Sequence, residues 1–169
     1  MNASLSDKRA NSLLDFIAIR ESAGNYDAYI GCIKGDRDLS RFTISDVYNF
    51  QRRLVAAGEP SSAVGRYQFV QKTLSGLVQQ HGIATDERFT PAVQDYLGYE
   101  LLVTRGYMKW VAGVLDDDGF MHNLSCEWAS LPDPNNGGKS HYDGDGVNHA
   151  GQTLEAVQAA LDAARNVTV

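Results

Sequence analysis

The stretch Leu13-Leu14-Asp15-Phe16-Ile17-Ala18-Ile19-Arg20-Glu21 (13–21) decides how this 169-residue chain is read. Leu13, Leu14, Ile17 and Ala18 recur at helical spacing and Gly24 stands just beyond, so a first helix is expected over about residues 7–21. Leu14, Ile17, Ala18 and Glu21 stand at i, i+3, i+4 and i+7, which puts the carboxylate on the stripe that faces the core. A carboxyl group there, at a helix end opening into a cleft, loses solvation of its charged form. The negative end of the helix dipole acts in the same direction, so its pKa should rise and make Glu21 a proton donor near neutral pH. Periodicity alone leans to a plainer alternative, a last-turn Glu that curls out to solvent.

Outward from this helix, residues 25–42 mix Tyr, Ile and Phe with Gly and Asp, and read as short strands and turns. Thr43 then caps a helix, with Asp46 as its capping-box partner and Gly58 as the stop. Leu74, Leu77 and Val78 mark a helix over about 71–81 that ends at Gly82. Thr90-Pro91 opens another that runs to about Thr104, since Pro at the first helical position gives up a donor that would be unpaired anyway. Met121, Leu124, Trp128 and Leu131 form an apolar stripe at helical spacing that Pro132 ends, and on it Trp128 reads as core. A Gly-, Asn- and Asp-rich loop fills 132–152, and Thr153 to Arg165 closes the chain as an amphipathic helix. The expected fold is α+β but mainly α, one domain over residues 1–169, with a small β region after the first helix.

Composition removes several function classes. The net charge is -6 and no Lys/Arg cluster stands out, which excludes a protein that tracks a nucleic-acid backbone by releasing counterions. No stretch approaches the ~20 apolar residues of a membrane span. The first nine residues lack the apolar core of a signal peptide, so the chain is expected in a cytoplasm, with any outer substrate reached by separate delivery. Cys32 and Cys126 read as two reduced, mostly buried thiols.

A second candidate site is Gly65-Arg66-Tyr67-Gln68. A Gly lets backbone approach a ligand closely, while Tyr and Gln offer a stacking face and an amide. By itself the run fits a buried Tyr beside a helix start equally well.

Glu21-Ser22-Ala23-Gly24-Asn25-Tyr26-Asp27-Ala28-Tyr29, Gly65-Arg66-Tyr67-Gln68 and Trp128-Ala129-Ser130-Leu131-Pro132 stand in the order seen in the bacteriophage lambda endolysin family. Phe89-Thr90-Pro91, Gln94-Asp95 and Arg105-Gly106 are similar to another stretch of it, so the chain resembles that family in separated blocks over residues 13–142. The early Glu-Ser and the later turn also resemble the wider lytic transglycosylase group. The resemblance implies a lysozyme-like fold and cleavage of the β-1,4 bond between N-acetylmuramic acid and N-acetylglucosamine, closing a 1,6-anhydro ring. It implies Glu21 as the catalytic residue, Gln68 bonded to the sugar, Tyr67 shaping the groove, Ser22 holding the acid and Tyr142 as a further substrate contact. The loop from Asp133 to Gln152 is longer and richer in Gly and Asp than in the lambda protein, which weakens the match at Tyr142. The implied partner is peptidoglycan, met by a monomer without cofactor or metal, either held in the host cytoplasm before release to the cell wall or carried in the virion. Two alternatives stay open: a hydrolysing muramidase with Asp27 or Asp36 as second carboxylate, and a catalytically silent wall-binding protein.

Other signals are weak. Asp143-Gly144-Asp145-Gly146 resembles half a calcium loop, but the twelfth position is Leu154 and Glu155 misses by one. His81, His122, His141 and His149 lack zinc-ligand spacing, and no Cys joins them in zinc-like order. Asp116-Asp117-Asp118 reads as a solvated turn that starts the next helix.

Overall fold

In the computed structural model, which describes residues 6–167, α-helices alternate with long irregular segments, the longest between Ser22 and Ile44 and between Ser125 and Leu154. The first five residues, part of the nine-residue stretch that lacks a signal-peptide core, and the last two lie outside the described residues. The α-helices are α1 (Lys8–Ser22), α2 (Ile44–Ala56), α3 (Gln71–Gln80), α4 (Pro91–Thr104), α5 (Tyr107–Val111), α6 (Asp117–Ser125) and α7 (Leu154–Arg165). Single 3-10 turns stand at Leu39–Arg41 and Pro134–Asn136.

The helix starts have local causes. Thr43 Oγ1 accepts from Asp46 N at 3.1 Å while Asp46 Oδ2 accepts from Thr43 N at 3.1 Å, the reciprocal box that begins α2. Thr90 Oγ1 accepts from Val93 N ahead of Pro91, Asp116 Oδ1 accepts from Gly119 N, and Thr153 Oγ1 accepts from Ala156 N. Each satisfies a donor that the first helical turn leaves orphaned.

The expected β region is corrected. Among the described residues the only pairings are isolated bridges, including Tyr29 with Cys32 and Tyr29 with Val64, and there is no sheet. The polar residues of 25–42 take the backbone groups a ladder would need. Asn25 Nδ2 donates to the carbonyls of Ile33 and Lys34, and Asp27 Oδ1 accepts from Ser40 N at 2.7 Å. The apolar stripe at 121–131 is corrected too: α6 ends at Ser125. The carbonyl of Cys126, which a longer helix would spend on its own backbone, instead accepts from Tyr142 Oη at 2.6 Å. Trp128 and Leu131 are still buried, now outside the helix. The short α5 has no counterpart in the sequence reading.

Two compact units divide the chain, residues 21–97 and the described residues before and after them. In the first, Ile44, Val47, Leu74, Val78, Phe69, Phe89 and Leu97 are buried. In the second, Leu13 and Ile17 of α1, Leu124 of α6, Leu131 and Leu161 of α7 line one apolar core space. Trp110 stacks on Phe120 at 5.1 Å and donates through Nε1 to Asp117 at 2.7 Å, and Arg165 lies over the Trp110 ring. Asp117 is thus a half-buried anchor rather than a solvated turn residue. Cys32 and Cys126 carry free thiols.

Candidate active site

Glu21 sits in the last turn of α1, half-buried, where the stripe of Leu14, Ile17 and Ala18 ends. The chain then leaves the helix through two left-handed residues, Ala23 (φ 53°) and Gly24 (φ 79°). Left-handed Ala is strained by about 1–2 kcal/mol, because its Cβ crowds the following carbonyl. Gln68 (φ 50°) is the other non-glycine residue in this conformation among the described residues. Both strained positions lie in the first unit and in the two motif segments. Strain of this kind persists where the surroundings over-determine it, and clusters at functional sites.

The two segments are joined. Ser22 is fully buried and its Oγ donates to the Arg66 carbonyl at 2.7 Å, so the residue after Glu21 holds the turn that ends in Gln68. Gln68 is half-buried and its Nε2 donates to the Gly65 carbonyl at 2.9 Å.

The close approach that Gly65 permits is to the protein itself. A Cβ there would lie 2.4 Å from Gln94 Oε1 and 3.0 Å from Phe89 Cε1, at φ 76°. Gln94, with no exposed surface, accepts from Arg66 N at 2.9 Å and donates to the carbonyls of Tyr26 and Phe89. One amide therefore pins three chain segments. Beside it, Asp95 accepts from Tyr26 Oη at 2.9 Å and from Tyr67 Oη at 2.7 Å, and Arg66 reaches both Asp95 and Tyr67. The Arg66 guanidinium also covers the Tyr26 and Tyr67 rings at 5.1 and 5.3 Å. Tyr67 is 1% exposed, and burial, then the Asp95 charge, push its phenol far above the ordinary range. It is a core residue under the turn. Gln94 and Asp95 were visible as a sequence block, but nothing in their spacing signals this clamp.

The second-carboxylate candidates are committed to loop structure. Asp27 caps the backbone at Ser40, and the exposed Asp36 accepts from Tyr29 Oη at 2.6 Å. That bond, followed by one to Cys32, pushes the Tyr29 phenol upward. Tyr142 belongs to the second unit. It is 42% exposed, and its hydroxyl is spent on the Cys126 carbonyl. The grooves along the outer face of α2, lined by Phe42, Asn49 and Arg53 among others, include none of the motif residues.

The chain belongs to the endolysin family, whose family model, described as Endolysin, matches residues 11–158. It is therefore one of the bacteriophage cell-wall lytic enzymes, a lysin that degrades peptidoglycan. Among curated proteins and among solved structures, none matches the chain. Among the described residues, no helix is long and apolar enough to cross a membrane.

Proposed function

We propose that this endolysin is a lytic transglycosylase of the lambda type, a lysozyme-like catalytic domain in which Glu21 serves first as acid and then as base. The observation that carries the reading is the junction of α1 with the Gly65–Gln68 turn. A half-buried carboxyl ends an apolar stripe, its neighbour Ser22 clamps the turn, and both segments hold strained non-glycine backbone.

In this mechanism Glu21 donates its proton to the glycosidic oxygen as the bond from that oxygen to C1 of N-acetylmuramic acid breaks. The acetamido oxygen of the same sugar stabilises the cation at C1. The C6 hydroxyl oxygen then attacks C1, and its proton goes to the Glu21 carboxylate, which is restored. The product is a 1,6-anhydro end and no water is consumed. A general acid–base of this kind contributes about 10²- to 10⁴-fold in rate. Substrate participation removes the need for a second carboxylate, in keeping with the structural duties of Asp27 and Asp36.

The remaining residues take more specific roles than the sequence suggested. Gln68 gives one of its two amide hydrogens to the Gly65 carbonyl, which holds the side chain and leaves the rest of the amide to meet the sugar. Ser22 and Tyr67, both buried, position the acid and the turn rather than touch substrate.

Clearing of a peptidoglycan suspension tests this reading. Glu21→Gln, which keeps shape and loses the proton, should slow clearing by at least about 10²-fold. Equal clearing by wild type and variant would remove Glu21 from the chemistry.

A further inference from the structure

His122 and Cys126 stand one helical turn apart at the end of α6, which aligns their side chains. The 132–142 loop brings His141 beside them, its ring 5.6 Å from that of His122. Cys126 Sγ lies 3.9 Å from His122 Nε2, and one ligand atom from each of the three residues lies within 4.8 Å of the others. A tetrahedral zinc ion with nitrogen ligands at ~2.0–2.1 Å and sulfur at ~2.3 Å spaces its donors about 3.5 Å apart. Side-chain shifts of about 1 Å would therefore close the set on an ion.

Asp133 distinguishes this cluster from chance proximity. It is buried, and its two oxygens engage the Nδ1 atoms of both rings, His122 at 2.9 Å and His141 at 2.8 Å. With each Nδ1–H donated to that carboxylate, each Nε2 carries the lone pair. This carboxylate–histidine arrangement fixes the ring and tautomer of metal-binding histidines. The loop is also held before any ion arrives. Asp133 N donates to the Lys139 carbonyl at 2.7 Å, Asn136 Nδ2 to the Ser140 carbonyl at 2.8 Å, and Tyr142 Oη to the Cys126 carbonyl. His122 and His141 keep about a third of their side-chain surface exposed, so an ion can enter from solvent.

We propose that His122, His141 and Cys126 bind one Zn²⁺ ion through two imidazole Nε2 atoms and a thiolate, with the fourth position open to water. Two imidazoles and a thiolate suit zinc far better than calcium or magnesium, which take oxygen ligands. Binding releases the Cys126 thiol proton to solvent, and the ion ties the 132–142 loop to the end of α6. Sequence spacing conceals the site because His141 arrives from a loop, fifteen residues after Cys126.

The test uses the purified full chain, freed of metal by a chelator and titrated with Co²⁺. The expected result is one equivalent bound, with a near-ultraviolet thiolate-to-cobalt absorption and the visible bands of a four-coordinate ion, both displaced by Zn²⁺. Cys126→Ser should abolish the thiolate band and Cys32→Ser should keep it. Asp133→Asn should weaken Zn²⁺ binding by about 10- to 100-fold. Absence of the thiolate band in wild type would overturn the proposal without reference to any variant. So would a band that survives Cys126→Ser, or one lost in Cys32→Ser.

Discussion

Replacing Gly65 by alanine probes the clamp beneath the proposed site. The position is left-handed, at φ 76°, which costs an alanine about 1–2 kcal/mol. The new Cβ would lie 2.4 Å from Gln94 Oε1, too close for both to stay. Gln94, which has no exposed surface, would have to surrender its 2.9 Å bond from Arg66 N, which costs about 1–3 kcal/mol when a buried amide oxygen loses a donor. The two contributions give about 2–5 kcal/mol, or a fall in Tm of about 5–20 °C for a chain of this size. Gly24→Ala is the control. It is also left-handed, at φ 79°, but its Cβ would meet nothing within 4 Å, so it should lose only the backbone part. Urea unfolding of both variants, with Gln94→Ala and the double variant, completes the cycle, and the double should be milder than additive. Equal losses for Gly65→Ala and Gly24→Ala, or strict additivity with Gln94→Ala, would refute the clamp.

Ser22→Ala should cost about 0.5–1.5 kcal/mol in denaturant unfolding, since it removes the bond from Ser22 Oγ to the Arg66 carbonyl, and should lower kcat more than it raises KM. Tyr67→Phe, which removes the hydroxyl from Asp95, should lower stability by about 1–2 kcal/mol yet leave the identity of the products unchanged by mass analysis. Asp117 is held down at about 2, first by Arg165, then by Gln158 and Trp110, against the opposing effect of burial. Its contribution to stability is complete above the ordinary carboxylate value of ~3.9 and is lost as pH falls from there toward about 2. Urea midpoints measured across that interval should therefore drop more steeply for wild type than for Asp117→Asn, and parallel curves would contradict the assignment.

What the sequence made legible follows from how local each cause is. The starts of α2, α4 and α7 depend on Thr43 with Asp46, on Thr90-Pro91 and on Thr153, all within one turn of the residues they cap. The apolar stripe of α1 was readable for the same reason. The β region misled because Tyr29, Ile30 and Ile33 have strand propensity, yet the decision fell to Asn25 and Asp27, whose side chains bind backbone further along the loop. Helix α6 stopped short of Trp128 because Tyr142 takes the Cys126 carbonyl across sixteen residues, a competition that helical periodicity cannot register. Gln94 and Asp133 are the extreme cases. Each is an ordinary polar residue in sequence, and its importance lies wholly in partners brought from distant segments.

If Glu21 acts without water, the products record it directly. Mass analysis of the saccharides released from purified peptidoglycan, run for wild type and for Glu21→Gln, should find wild-type fragments ending in 1,6-anhydro-N-acetylmuramic acid, one water lighter than hydrolysis products. The variant should release almost none. Reducing N-acetylmuramic acid as the main wild-type product would contradict the transglycosylase assignment, and undiminished release by Glu21→Gln would contradict the role of Glu21 itself.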